Sequence, residues 1–151
     1  MKRAWLLLAL LVLAAPAAAQ APDGAALYKR CAACHLPSGA GVTGAFPPLQ
    51  TDFLSLAGKA DGRRYLALAL IKGIAGPLTV DGKTYRGVMP AQSMLDDAGI
   101  ATVLNHVGNT IAKGGNGFRA FTPAEVAAAR QSGEGLTSAN IGALHGKLSG
   151  Q

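Results

Sequence analysis

The sequence contains few aromatic residues. Phe, Trp and Tyr make up 5% of the 151 residues, and the single tryptophan, Trp5, lies in an N-terminal segment that we expect to be removed from the mature protein. A chain of this length holds one domain with a hydrophobic core, and not two. Aromatic rings carry much of the buried surface in most cores. We therefore expect a bound group, and not side chains alone, to fill the centre of this domain.

Charge of either sign is also low. The formal net charge is +6, and it falls to +4 when Lys2 and Arg3 are removed, because 12 basic residues then face 8 acidic ones. Nucleic-acid-binding domains carry a dense cluster of Lys and Arg on one face. The mildly basic composition therefore excludes a nucleic-acid partner.

The sequence has no hydrophobic run long enough to span a membrane. The apolar run Trp5–Leu13 is well short of the roughly 20 residues that a spanning helix needs. Two basic residues precede the run, and three alanines at positions 17–19 follow it as a small-residue cleavage site. We considered a membrane anchor, but this pattern favours a signal peptide over residues 1–19. We therefore predict export to the periplasm and no stable membrane span after cleavage.

Cysteine occurs only twice, as Cys31 and Cys34, and His35 follows directly. Two cysteines form only half of a zinc site, and the chain has no further Cys and no nearby His pair to complete it. A thioredoxin-like dithiol needs a preceding strand in a βαβ unit, whereas the residues before Cys31 have a helical pattern. A disulfide between residues three apart in a helix would constrain little. The remaining interpretation is the C-x-x-C-H signature for attachment of a c-type haem.

Each part of this motif has a chemical role. Thiols three residues apart near the end of a helix lie on one face, where Cys31 and Cys34 can add to the two vinyl groups of a haem. The imidazole of His35 is then held under the iron as its proximal ligand. The second ring nitrogen of such a ligand normally donates to a carbonyl, and Pro47 or Pro48 in the following Gly- and Pro-rich loop can accept that bond.

A six-coordinate haem needs a ligand on its other face, and Met89 is the best-placed candidate. Its thioether is a soft, neutral donor that raises the reduction potential. Gly87 and Pro90 hold it on a turn, beyond a helix and a hairpin that give the chain room to reach the far side. Met94 is the alternative thioether. His106 would give a bis-His haem, but we expect it to be a partly buried or surface residue of its helix.

The secondary-structure pattern is mainly helical. In three segments, apolar residues recur at helical spacing after a capping Asp, which predicts helices over Asp23–Cys34, Asp61–Gly73 and Asp96–Gly108. Asp81-Gly82 between alternating residues predicts a small hairpin over Leu78–Tyr85. We expect no larger sheet.

The composition changes from residue 114 onward. A glycine-rich run at 114–117 indicates a linker. Thr122 and Glu125 then form a capping box, with Pro123 at the first helical position, which predicts a short helix ending near residue 130. A weaker helical pattern follows around residues 141–148, where we expect His145 to be a solvated residue of the tail.

The order of helix, C-x-x-C-H, Gly/Pro loop, helix, hairpin, Met-Pro and helix resembles that of the small monohaem cytochromes c. The similarity runs from about Asp23 to Thr110 and, more loosely, through Arg130. The strongest local similarities besides the haem motif are the Phe-Pro-Pro-Leu segment at 46–49 and the segment at 80–90. The second segment is similar to cytochrome domains that accompany bacterial periplasmic dehydrogenases and reductases.

The resemblance implies an all-α cytochrome c fold with one small β-hairpin before the methionine ligand and a C-terminal helical extension. It implies that Cys31 and Cys34 form the thioether links to one haem c, that His35 and Met89 are the axial ligands, and that Pro48 accepts the hydrogen bond from His35. We therefore predict a cytochrome c domain at 20–113, after a signal peptide at 1–19 and before a linker and extension at 114–151.

In this family the first and last core helices cross beside the haem. Gly24, one turn before Tyr28, would permit such a close approach, and a frayed helix end is the alternative interpretation. His106 stands where the family usually has an aromatic residue that packs against the first helix.

These observations predict an exported electron carrier and not an enzyme, because two axial ligands leave no open position on the iron for substrate. The alternatives are a tightly bound haem subunit of a periplasmic dehydrogenase or reductase, and a ligand-binding or peroxidase-like protein with a labile sixth ligand.

We expect redox partners with acidic docking surfaces, bound through several basic residues in the middle third of the chain. These residues are Lys59, Arg63, Arg64, Lys72, Lys83 and Arg86. A solvated face without a docking role is the other interpretation of the same charges.

Overall fold

The computed structural model describes residues 22–148, so the predicted signal peptide lies outside the described residues. The described chain forms six α-helices, which are α1 (Gly24–His35), α2 (Phe53–Ala57), α3 (Ala60–Lys72), α4 (Asp97–His106), α5 (Pro123–Ser132) and α6 (Ser138–Leu148). Strands β1 (Leu78–Val80) and β2 (Lys83–Tyr85) form an antiparallel hairpin. The predicted all-α fold with one small hairpin is confirmed. Within residues 22–148, none of the helices has the length and apolar content that crossing a bilayer requires.

Side-chain caps begin three of the helices as predicted. The Asp23 carboxylate accepts a hydrogen bond from the Ala25 amide at the start of α1, and Asp96 accepts one from the Gly99 amide at the start of α4. The hydroxyl of Thr122 caps α5. The prediction that Asp61 caps its helix was wrong: α3 begins at Ala60, and Asp61 lies within the first turn, where its charge favours the positive end of the helix dipole.

The crossing of α1 and α4 is close, as the glycine suggested. A Cβ atom on Gly24 would lie 2.8 Å from the Cβ of His106 and 3.1 Å from the carbonyl oxygen of Thr102, so only glycine fits there without a shift. The rings of Tyr28 and His106 lie 5.3 Å apart between their centroids, inclined by 42°. His106 therefore occupies the place of the expected aromatic residue and packs as one.

The core is built around α3 and includes the C-terminal extension. Leu68 of α3 and Ile100 of α4 are fully buried, and so are Val126 of α5 and Ile141 of α6. The last two helices therefore pack against the rest of the chain through their own apolar faces. The extension is part of the same hydrophobic core.

A buried arginine joins α3 to α5. Arg63 is 3% exposed, and its guanidinium donates through Nε and Nη2 to the two carboxylate oxygens of Glu125. Its other N–H groups donate to the backbone carbonyls of Ala57, Arg119 and Ala120. All five donors of the guanidinium are therefore used, which is what a charge needs when it leaves water.

Candidate functional site

A large cavity lies between α1, the loop that follows it, α3 and the turn that carries Met89. It encloses about 1230 Å³ of empty space, part of which is open to solvent. Most of its lining side chains are apolar. They include Leu66 and Leu70 from α3, Val103 from α4, and Val107 from the π-helix Val107–Ile111 that directly follows α4. A cleft with this apolar lining, open to solvent on one side, suits a mostly apolar cofactor with one exposed edge.

The two thiols lie on one wall of this cavity. Cys31 and Cys34 are one helical turn apart near the end of α1, and both are free and half-buried. Burial raises the pKa of the Cys31 thiol, so it stays protonated at neutral pH. Among residues 22–148, no three His, Cys, Asp or Glu side chains are grouped to hold a metal ion by themselves.

His35 ends α1 on the same wall, where it is 8% exposed. The Nδ1 atom of His35 lies 2.9 Å from the carbonyl oxygen of Pro47. Because a carbonyl oxygen can only accept a hydrogen bond, the Nδ1–H of His35 is the donor. This bond fixes the tautomer and leaves the lone pair of Nε2 available to a metal. Burial lowers the pKa of His35, which keeps the ring neutral and able to act as a ligand.

The acceptor is therefore Pro47 and not Pro48, which corrects the assignment that the family resemblance implied. The loop after α1 folds back on itself through a bridge between Val42 and Phe46. Gly41 makes this possible, because it has a φ of 66° and a Cβ there would lie 2.6 Å from the Pro47 oxygen. Pro48 lines the cavity without accepting this bond.

Met89 lines the same cavity on the segment that follows the hairpin. Its backbone N–H donates to the carbonyl of Ile74 over 3.0 Å, and its carbonyl accepts from the Ile74 N–H over 2.9 Å. Ile74 comes two residues after α3, so these bonds attach the methionine to the end of that helix. The alternative thioether, Met94, is 66% exposed and is not among the residues that line the cavity.

The arrangement fits a covalently attached haem. Two thiols that can form thioethers, an oriented neutral imidazole and a thioether sulfur all border one apolar cavity. These are the donor types that c-type attachment and His/Met ligation require.

Sequence reasoning missed a polar corner of the cavity formed by Asp52, Tyr65 and His145. The prediction that His145 is a solvated tail residue was wrong, because it is 2% exposed and its Nε2 donates to Oδ2 of Asp52 over 2.6 Å. Its ring centroid lies 5.5 Å from that of Tyr65. The spacing of Ile141 and His145 was the available signal, since residues four apart share one face of a helix.

The six basic residues of the middle third do not form one continuous surface. Arg63 is buried against Glu125, so the prediction that it belongs to a docking surface was wrong. Three others are turned towards the C-terminal extension, where they reach Ser132, the Glu134 carbonyl and the Leu148 carbonyl; they are Arg64, Lys72 and Lys59. Lys83 and Arg86 are exposed on and beside β2, close in sequence to Met89.

Comparison with known proteins shows which family this chain resembles in sequence. The family model described as Cytochrome c matches residues 21–111. A cytochrome c-552 of Thermus thermophilus is 45% identical over 122 residues, which cover 80% of this chain and 82% of that protein. A second cytochrome c-552 from the same species is 44% identical over 106 residues, which cover 69% of this chain and 81% of that protein.

Proposed function

The chain belongs to the cytochrome c family, and from this premise we propose that it is an exported carrier of single electrons between periplasmic redox partners. It holds one covalently bound haem c, and it is an electron-transfer protein rather than a catalyst. The bound haem supplies one-electron exchange between Fe(II) and Fe(III). The chain's own residues attach it, orient its ligands and keep water away.

We assign Cys31 and Cys34 as the thioether links and His35 and Met89 as the axial ligands. The observation that carries this assignment is that all four side chains border one apolar cavity. The hydrogen bond from His35 to Pro47 holds the imidazole at a fixed angle. With both axial positions filled by side chains, none is left for a substrate, which favours electron transfer over ligand binding.

The visible spectrum of the mature protein in both oxidation states tests this assignment. We expect a covalent haem c that is low-spin and carries one sulfur ligand after expression with a haem-loading system. The Cys31→Ala/Cys34→Ala variant is the control, and its haem is expected to be extracted by acidic organic solvent. A colourless wild-type protein, or one whose haem is extracted like that of the control, would contradict the assignment.

Export rests on the predicted signal peptide at residues 1–19, which precedes the described chain. N-terminal sequencing of the haem-bearing protein from a periplasmic fraction tests it. The expected mature chain begins close to residue 20, after the alanines at 17–19. Haem-bearing protein that retains Met1 would contradict removal of this segment.

A small basic surface beside the cavity supports docking of an acidic partner. Arg30 lines the cavity and is exposed, and Lys83 and Arg86 lie on the hairpin side of the segment that carries Met89. Val88, next to Met89, is 64% exposed and also borders the cavity. Transient redox encounters use small interfaces of this kind, with opposite charges that speed association at low salt.

Reversing two of these charges tests the docking surface. The Lys83→Glu/Arg86→Glu variant is expected to reduce the rate of electron transfer to an acidic partner at least tenfold at low ionic strength, and to weaken its salt dependence. The matched control is Lys59→Glu/Lys113→Glu, which changes the net charge equally at exposed residues that lie outside the hairpin and the Met89 segment. Equal rates for the two variants would contradict the proposal.

The packing of the extension favours a free carrier over a permanent subunit. A tail that docks into a larger complex needs apolar residues to offer, whereas Val126 and Ile141 are fully buried against this chain's own core. Size-exclusion chromatography of the protein from its source at high salt tests this point. A free carrier elutes as a monomer of about its own mass, and co-elution with a larger chain would favour the subunit.

A further inference from the structure

The C-terminal extension brings a buried histidine to the wall of the cavity. His145 of α6 lies outside the residues 21–111 that match the family. It borders the same cavity as the proposed axial ligands, together with its hydrogen-bond partner Asp52 and with Tyr65. The ligand assignment leaves this group without a role.

We propose that His145 couples the reduction potential of the bound haem to pH. This inference rests on the proposed binding of haem in this cavity. Removal of one positive charge from the iron on reduction favours a positive charge on a group nearby, and the interaction is strong where water is excluded. Reduction therefore favours protonation of His145, and protonation of His145 favours reduction.

The step balances as a transfer of one electron and up to one proton. Reduction takes the electron from the redox partner and, where His145 titrates, takes the proton from solvent onto the imidazole. Oxidation returns the electron to the next partner and releases the proton. The potential is therefore expected to fall as pH rises through the titration of His145 and to level off on both sides.

Other titratable and charged side chains lie on the elements that pack against α6, and of these Asp61 of α3 is exposed. Burial, with the nearby charge of Asp52, raises the pKa of Tyr65, so its hydroxyl stays neutral in the range where histidine titrates. Arg63, Arg64, Lys72 and Lys59 of the α3 region point to Glu125, Ser132, the Glu134 carbonyl and the Leu148 carbonyl, respectively. Strand β1 carries no titratable side chain, because its sequence is Leu-Thr-Val.

Asp52 is the hydrogen-bond partner of His145 in the wall of the cavity. Its carboxylate accepts the hydrogen bond from Nε2 and stabilises the protonated ring. Replacing it with asparagine keeps an acceptor oxygen and removes the charge. The step in the potential should then move to lower pH without vanishing.

The test is the reduction potential measured by spectroelectrochemistry from about pH 5 to about pH 9, the range in which a histidine changes charge. The wild type is expected to show one step, His145→Gln none, and Asp52→Asn a step at lower pH. His106→Gln is the matched control, because His106 packs in the α1–α4 crossing and does not line the cavity; its step should match that of the wild type.

A second readout does not depend on electron-transfer activity. The imidazole signal of His145 is followed by NMR as a function of pH in the reduced and the oxidised protein. Linkage requires the midpoint of the His145 titration to lie at higher pH in the reduced state than in the oxidised state. The free energy of that shift must equal the free energy that separates the limiting potentials at low and high pH. This measurement also decides the matter if His145→Gln does not fold.

Three results would overturn the proposal: a step that persists in His145→Gln, a wild-type potential that does not change with pH, and identical NMR titrations in the two oxidation states. Each of them, obtained with a spectrum of a sulfur-ligated low-spin haem, leaves the proposed carrier function standing. A spectrum without the covalent haem would contradict the carrier function instead.

Discussion

At the scale of the residue, the proposed axial ligands are positioned by main-chain contacts. Met89 is attached to Ile74 through its own N–H and carbonyl, and the ring of His35 is oriented by the carbonyl of Pro47. Because the backbone holds the methionine in place, its side chain can be changed without moving the chain. Substitution at this position therefore tests the donor atom alone.

The Met89→Ala variant is expected to keep its covalent haem and to lose the sulfur ligand. Without a thioether the oxidised state is relatively stabilised, so the potential should fall by on the order of 0.1 V, within the ~0.8 V range that axial ligation spans. The reduced variant should also bind carbon monoxide, because the sixth position is open. Potentiometry and a carbon monoxide titration measure both effects. Met94→Ala is the control, and the same two changes in that variant would assign the ligand to Met94 instead.

The sequence was sufficient to select the four proposed haem residues and insufficient to select the carbonyl. Cys31, Cys34 and His35 follow from local spacing, which a helix converts directly into a shared face. Pro47 and Pro48 are adjacent, and it is the Pro47 carbonyl that accepts the hydrogen bond from His35. Which carbonyl faces His35 depends on the backbone angles of the whole loop, and the order of the residues does not determine those angles.

At the scale of the element, the capping box of α5 has a second role that the sequence did not indicate. Glu125 matched a local pattern, and its amide does bond to the Thr122 hydroxyl. Its carboxylate, however, bonds to Arg63, which is 62 positions away in the sequence. Pattern reasoning uses residues within one or two turns, so it interpreted Arg63 as a surface charge.

Because the Arg63–Glu125 pair joins α3 to α5, we expect the stability that this contact provides to decrease at acidic pH. The Arg63 hydrogen bonds lower the pKa of Glu125 below its usual range. A carboxyl whose pKa is lower in the folded state contributes stability above its unfolded pKa of about 4.3, and this stability is lost as pH falls towards the folded value. Glu125→Gln should lower the free energy of unfolding at pH 7 by about 3 kcal/mol, since it leaves a buried charge without its partner.

Urea unfolding followed by circular dichroism measures this effect across pH. The difference between wild type and Glu125→Gln should shrink as pH falls below about 4 and vanish only as pH passes the lowered pKa of Glu125 in the folded state, where its carboxyl becomes uncharged like the amide of glutamine. Glu134→Gln is the matched control, since it removes the same charge from an exposed residue and should change the stability little. A difference that stays constant down to low pH would contradict a role for the Glu125 charge.

At the scale of the whole molecule, the extension is connected to the proposed sixth ligand by a short series of contacts. The Ala75 amide donates to the Ser138 carbonyl at the start of α6 over 3.1 Å. A Cβ on Gly142 would lie 2.5 Å from the Ala75 oxygen, so α6 packs directly on this segment. Ile74, the residue before Ala75, forms both backbone hydrogen bonds to Met89. These contacts give α6 a part in positioning the proposed ligand.

Removing α6 tests that connection. A chain that ends at Ser132 loses the fully buried Ile141 and the partners of Ala75, and it is expected to lose at least 2–5 kcal/mol of stability, the usual cost of emptying one large apolar site. The covalent attachment through Cys31 and Cys34 does not depend on α6, so the protein should still carry haem.

A chain that ends at Leu148 keeps every described contact and is the control. Because Ile74 loses its support, the shorter protein in the reduced state should bind carbon monoxide more readily than the control, in a titration at a temperature where both are folded. Equal binding by the two chains, with a lower melting temperature for the shorter one, would mean that α6 stabilises the fold without holding the methionine.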